Sequence, residues 1–321
     1  MENLTVQSSA SITGSGILSV GGDAILNGPI NIGTLSVSTT GTISLAADVT
    51  TTTAIDFSPN AVTLTGASTL TAPGISLGSV SGTSANLGLT ASGGVTLNGT
   101  VSLGTGSFST ASAVTLGGAT TITANGGISL GAVSGTSANL GLTASGGVTL
   151  NGAVSLGGGS FSTSSDVTLG AAVAITANGG ISLGAVDGAF GLTLNSSSAT
   201  SLGVVGASQP LASLTTDATG GTTLNGDVET AGGQTYNDAL TLVGGPTLTG
   251  TTVTVSGGVT SGDLDIDGDA VFDTMAVTGL GTLTASGNLT VTSPSSLPAT
   301  LTLTLDGTGA QAVTVPAGTA F

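Results

Sequence analysis

The stretch SGDLDIDGDAVFD, residues 261–273, holds the densest set of groups in this chain that could do chemistry. Asp263, Asp265 and Asp267 alternate with Leu264 and Ile266, and in an extended chain alternate side chains share one face. Three carboxylates would then stand in a row, with Asp269 just beyond them. Such oxygens suit a hard cation, and DxDxDG matches the first half of an oxygen-rich Ca2+ loop. The distal Glu of that loop is missing, since position 274 is Thr and the next acid is Asp306. Two readings follow: a weak calcium site on Asp263, Asp265, Asp267 and Asp269, shared with a neighbouring subunit, or a solvated outer face. No other cofactor is implied.

The rest of the composition excludes most alternatives. The 321 residues include no Lys, Arg, His or Cys, and 16 acids give a net charge of −16 at pH 7. Without basic side chains, counterion release cannot drive nucleic-acid binding, and anionic membrane surfaces repel the chain. No apolar run of about 18 residues is present to span a bilayer as a helix. Disulfides and thiolate metal sites are ruled out, and trypsin-type proteases find no bond to cut. A polysaccharide-cleaving solenoid could work with two carboxylates alone. This chain, however, offers no His to shuttle protons, no cation to hold an acidic sugar and very few aromatic residues. No catalytic residues are assigned, and the chain is expected not to be an enzyme. The opening MENLTVQSSAS shows neither the basic nor the apolar part of a signal peptide, so export would use another route or follow trimming.

What positions these groups is a beat. A 53-residue unit, Ile75 to Gly127, recurs from Ile128 to Gly180 without insertion, with 45 of 53 positions identical. A third copy opens at Ile181 and drifts. Every Ile, Leu, Val and Phe of the first copy recurs in the second, as inward residues of a stacked structure must. Within the unit, segments such as VTL, VSL and ISL return every six or seven residues. Each places two apolar side chains on one face and a hydroxyl on the other. Eight short strands are visible, whereas three turns of three strands, at roughly 18 residues a turn, would need nine. The ninth is expected between residues 80 and 95. The fold predicted is all-β, a three-sided parallel β-solenoid.

Asn-Gly steps at Asn27, Asn98, Asn125, Asn151, Asn178 and Asn225 read as corners where positive φ is tolerated. Asn98 and Asn151, 53 residues apart, are expected at one corner three coils apart. Pro294 and Pro298 suggest a loop, and TLTLTLDGTGAQAVTV (300–315) an antiparallel hairpin. Composition divides the chain into a solenoid segment 1–74, the repeats 75–206, and a less regular, acidic segment 207–321. Between Asp56 and Asp166 there is no ionisable side chain, while ten of the 16 acids follow residue 210.

GGVTLNG, GDAVFDTMAVTGLGTLTASGNLTVT and NLTVQSSASITGSGILSVGGDAILNG resemble the repeats of filamentous-haemagglutinin-type solenoids and of tail-fibre-like surface proteins. The resemblance covers most of the chain as a shared beat. It implies right-handed coiling and an extracellular, cell-surface or virion-surface fibre, often adhesive.

A solenoid ends in exposed strand edges, which soluble monomers cover with helices, charges or Pro. Here only Glu2, Asp306 and Pro316 lie near the ends. The expected function is structural, a subunit joining other copies head to tail into an extracellular filament. Leu4, Val6, Val313, Val315 and Phe321 would form its assembly poles. The alternative is an adhesin or virion tail-fibre shaft that binds a glycan or cell-surface receptor through its C-terminal third.

Overall fold

The computed structural model describes residues 2–38, 40–273, 280–293 and 301–317. These form two compact units, Met1–Ser165 and Asp166–Phe321, divided inside the repeat segment. The whole is an all-β parallel solenoid of about 15 turns, about 19 residues each, without a helix among the described residues.

In the first unit each strand pairs, in parallel, with the strand three further along the chain. One column runs Val62–Leu64, Val80–Gly82, Val101–Ser102, Thr120–Thr123, Leu140–Thr143. A second runs Ser68–Ala72, Leu87–Ala91, Phe108–Thr110, Ile128–Leu130, Val148–Leu150. A third runs Ile75–Leu77, Val95–Leu97, Val114–Leu116, Val133–Ser134, Val154–Gly157. The three-residue beat explains the burial. In Val62–Leu64 and Phe108–Thr110 the outer two residues are buried and the middle one exposed. Leu97, Leu103, Phe108 and Leu130 are completely enclosed. Each buried aliphatic side chain contributes about 1.5–3 kcal/mol, set against the entropy of ordering it. Middle positions carry hydroxyls, and Ser44, Thr63, Ser81, Ser102, Thr123 and Thr143 are successive register partners.

The ninth strand does not exist. Ile75–Leu77 to Thr120–Thr123 is eight strands, and the second copy opens with Ile128–Leu130 as the next. With three strands per turn, one repeat is two and two-thirds turns, so Ile75 and Ile128 lie in different columns. The long interval between residues 80 and 95 holds a loop, residues 83–86, and one five-residue strand, Leu87–Ala91. Such loops also lengthen the turn from the expected 18 residues to about 19.

The shared corner for Asn98 and Asn151 falls with it. Asn98 follows the strand Val95–Leu97 of the third column, and Asn151 follows Val148–Leu150 of the second. Nor do the Asn-Gly steps use positive φ: no non-Gly residue does among those described, and the positive values belong to glycines such as Gly94, Gly127 and Gly147. Gly99 is required for closeness instead, because a Cβ there would lie 2.8 Å from the backbone nitrogen of Ser79.

The second unit keeps the parallel ladder but lengthens its strands. Thr247–Val255 and Val259–Phe272 run 9 and 14 residues, bending at register shifts between Thr249 and Thr252 and between Gly262 and Leu264. The expected hairpin at 300–315 is replaced by more solenoid. Thr302–Leu305 pairs in parallel with Thr282–Ala285, and Val313–Thr314 with Leu289–Thr290. Alternating Thr and Leu satisfies either geometry, and DGTG is spent on a wide connection. Pro294 and Pro298 lie outside the described residues.

Candidate functional site

Asp263, Asp265 and Asp267 do share the exposed face of one strand, Val259–Phe272, while Asp269, past Gly268, is half-buried. Among the described residues no three acidic side chains converge on a point. The structure instead employs these carboxylates between turns. Oδ1 of Asp263 accepts the backbone N–H of Thr282 at 2.8 Å, and Oδ1 of Asp269 accepts that of Asn288 at 2.7 Å. Asp267 accepts the Ser286 hydroxyl at 2.7 Å. Asp265 reaches back to the Thr247 hydroxyl, at 3.4 Å.

The same clasp recurs throughout. Asp23 accepts from the Thr42 N–H at 2.8 Å, Asp48 from Thr69 at 2.8 Å, Asn139 from Ser160 at 3.0 Å and Asp227 from Thr247 at 2.9 Å. Each is an Asn or Asp whose side-chain oxygen catches an N–H about one turn later, where corner amides lack a ladder partner. The backbone N–H and then the hydroxyl of Thr42 hold the Asp23 carboxyl below the ordinary aspartate value of 3.8. That contribution is present above 3.8 and is lost as pH falls through the lowered value. Asn139→Ala is expected to cost the first unit about 1 kcal/mol, read from denaturant unfolding. An unchanged midpoint would reduce the clasp to decoration.

The second unit also contains a buried polar group that sequence reasoning missed. Gln234, Tyr236 and Asp238 are enclosed, together with Thr216 and Thr222. Tyr236 donates to Oε1 of Gln234 at 2.8 Å, and Nε2 of Gln234 donates to the carbonyls of Val228 and Thr249. Asp238 is 3% exposed, with the Thr216 hydroxyl on Oδ1 and the Thr222 hydroxyl on Oδ2, each at 2.7 Å. Burial pushes both the Tyr236 hydroxyl and the Asp238 carboxyl upward, the two threonines pulling Asp238 partly back. Its only sequence signal was the single Tyr of the chain beside an acid.

The poles are placed as follows. Leu4–Val6 pairs only with Ala24–Leu26, Ile12–Thr13 with Ile30 and Asn31, and Ile17–Val20 with Thr34–Val37. All three strands of this first turn keep one edge unpaired among the described residues. Val6 is buried, but Leu4, Ile12 and Leu18 are half-buried and Ile17 is 75% exposed. At the other end Thr302–Leu305 and Val313–Thr314 likewise pair on one side. Val313 is 42% exposed and Val315 half-buried, whereas Leu289, one turn inward from Val313, is enclosed. Phe321 lies outside the described residues.

Parallel ladders, aliphatic filling and outward hydroxyls define a repeat-built parallel β-solenoid. No family model, curated protein or solved structure matches the chain, so its class stands on the fold alone. No helix among the described residues is long and apolar enough to cross a membrane.

Proposed function

We propose that this is a structural, non-enzymatic protein that joins other copies of itself head to tail into an extracellular or surface filament. The supporting observation is the first turn, whose three strands each offer an unpaired edge beside uncovered Leu4, Ile12, Ile17 and Leu18. A bare parallel edge is completed by another strand, and a heterologous contact that does not close produces a fibre. The edges at Thr302–Leu305 and Val313–Thr314, each paired on one side among the described residues, serve as the complementary pole in this reading. The step of three strands supports a three-sided coil, and the likeness to haemagglutinin-type and tail-fibre repeats supports right-handed winding and surface location. Calcium enters this reading as a bridge between copies along Asp263, Asp265, Asp267 and Asp269.

Electron microscopy of the purified chain at rising concentration should show long uniform filaments. Lys in place of Leu4 and Val6, or of Val313 and Val315, should abolish them. Single short rods at every concentration would overturn the proposal and favour an adhesin or tail-fibre shaft. That second reading, binding through the C-terminal third, draws on Val243, a large apolar side chain left exposed there. A glycan or receptor would then be its partner.

A further inference from the structure

We propose that Asp238 is a proton-operated latch, tightening the five strands from Ser213 to Leu242 in mild acid and loosening them at neutral pH. It is enclosed in a chain that contains no Lys, Arg or His. No side-chain cation can therefore compensate it, and removal from water penalises the ionised carboxylate, offset only in part by the hydroxyls of Thr216 and Thr222.

The surroundings accept either protonation state without moving a heavy atom. When Asp238 is ionised, the Thr216 and Thr222 hydroxyls donate to Oδ1 and Oδ2. Thr216 Oγ1 also accepts the backbone N–H of Asn237 at 3.2 Å, which fixes its direction. Among the described residues Thr222 Oγ1 has no such second partner, so its hydroxyl can turn, giving up its own bond to Oδ2, and accept a hydrogen bond from the proton that Asp238 gains. The protonated acid then donates to Thr222, still accepts from Thr216 and carries no charge.

Of its ionisable neighbours one opposes ionisation and one stays uncharged. Asp217, on the turn after Ser213–Thr216, repels it, and Tyr236 is held neutral by its own burial. In the following turn Gly257, which brings no charge, lies against the Asp238 backbone, where a Cβ would fall 2.1 Å from its carbonyl carbon. Burial, the largest influence, raises the Asp238 carboxyl above the ordinary 3.8. The stability it confers is therefore complete below 3.8 and is lost as pH rises through the raised value. This runs opposite to the clasp at Asp23.

The test is backbone hydrogen exchange in the full chain, expressed as protection factors so that the intrinsic pH dependence cancels. Protection across Ser213–Leu242 should rise as pH falls from neutral toward 3.8. D238N reproduces the protonated pattern, its amide nitrogen donating to Thr222. It should be better protected at neutral pH by about tenfold for each unit of upward shift, and should lose the slope. D217N, which removes a neighbouring charge of the same sign, should keep the slope and so separates the latch from general relief of repulsion. Parallel slopes in wild type and D238N, or weaker protection of D238N at neutral pH, would overturn the latch. The carboxyl carbon resonance of Asp238 needs no variant: titration at or below 3.8 would overturn it as well.

Discussion

Phe108→Ala is expected to destabilise the first unit by about 3–5 kcal/mol, and Phe161→Ala by a similar amount. Both side chains are completely enclosed. Phe108 stands between Leu87 and Ile128 in its column, and a ring removed there leaves a hole that ladders on both sides prevent from closing. Phe161 is the same position of the next repeat, yet it follows Leu140 in a different column. Equal losses, measured by denaturant unfolding followed through far-UV circular dichroism, would show that the columns are equivalent environments. A large loss at Phe108 beside a negligible one at Phe161 would show that they are not.

Gly104→Ala and Gly157→Ala should each cost about 2–5 kcal/mol, from left-handed strain plus a backbone collision. Their φ values are +58° and +57°, and a Cβ at either would lie 2.1 Å from a carbonyl oxygen, of Thr83 or Thr136. Gly118→Ala is the control, because nothing lies within 4 Å of its missing Cβ. The next repeat already carries Ala171 at that position. Its midpoint should not move. If Gly104→Ala is equally silent, the turn relaxes more readily than its contacts imply.

The solenoid was legible because its core obeys a rule that a sequence displays directly: two apolar residues flanking one hydroxyl, six or seven residues apart. Pairing phase was not legible. A strand of VTL fits any column, so counting strands against repeats could not reveal that eight, not nine, fill 53 residues. The TLTLTL segment hid its partner for the same reason, since alternation sets the face but leaves strand direction open. The acidic row was legible, but its hydrogen bonds between turns were not: Asp263 and Asp269 reach amides 19 positions downstream, a distance that follows from the turn and not from any local motif. Asp238 left the faintest trace, because a buried carboxylate is recognised by what encloses it.

A unit that overshoots or falls short of whole turns faces a new azimuth each time it is copied. The loop at residues 83–86 bridges the first and second columns, while its duplicate at residues 135–139 bridges the third and first. Tandem duplication therefore does not thicken one side of the coil; it winds the same bump around it. A gene that lengthens by this unit sets each copy's side chains in another column, as Phe108 and Phe161 are. At eight strands a copy and three strands a step, the starting column would recur at every third copy.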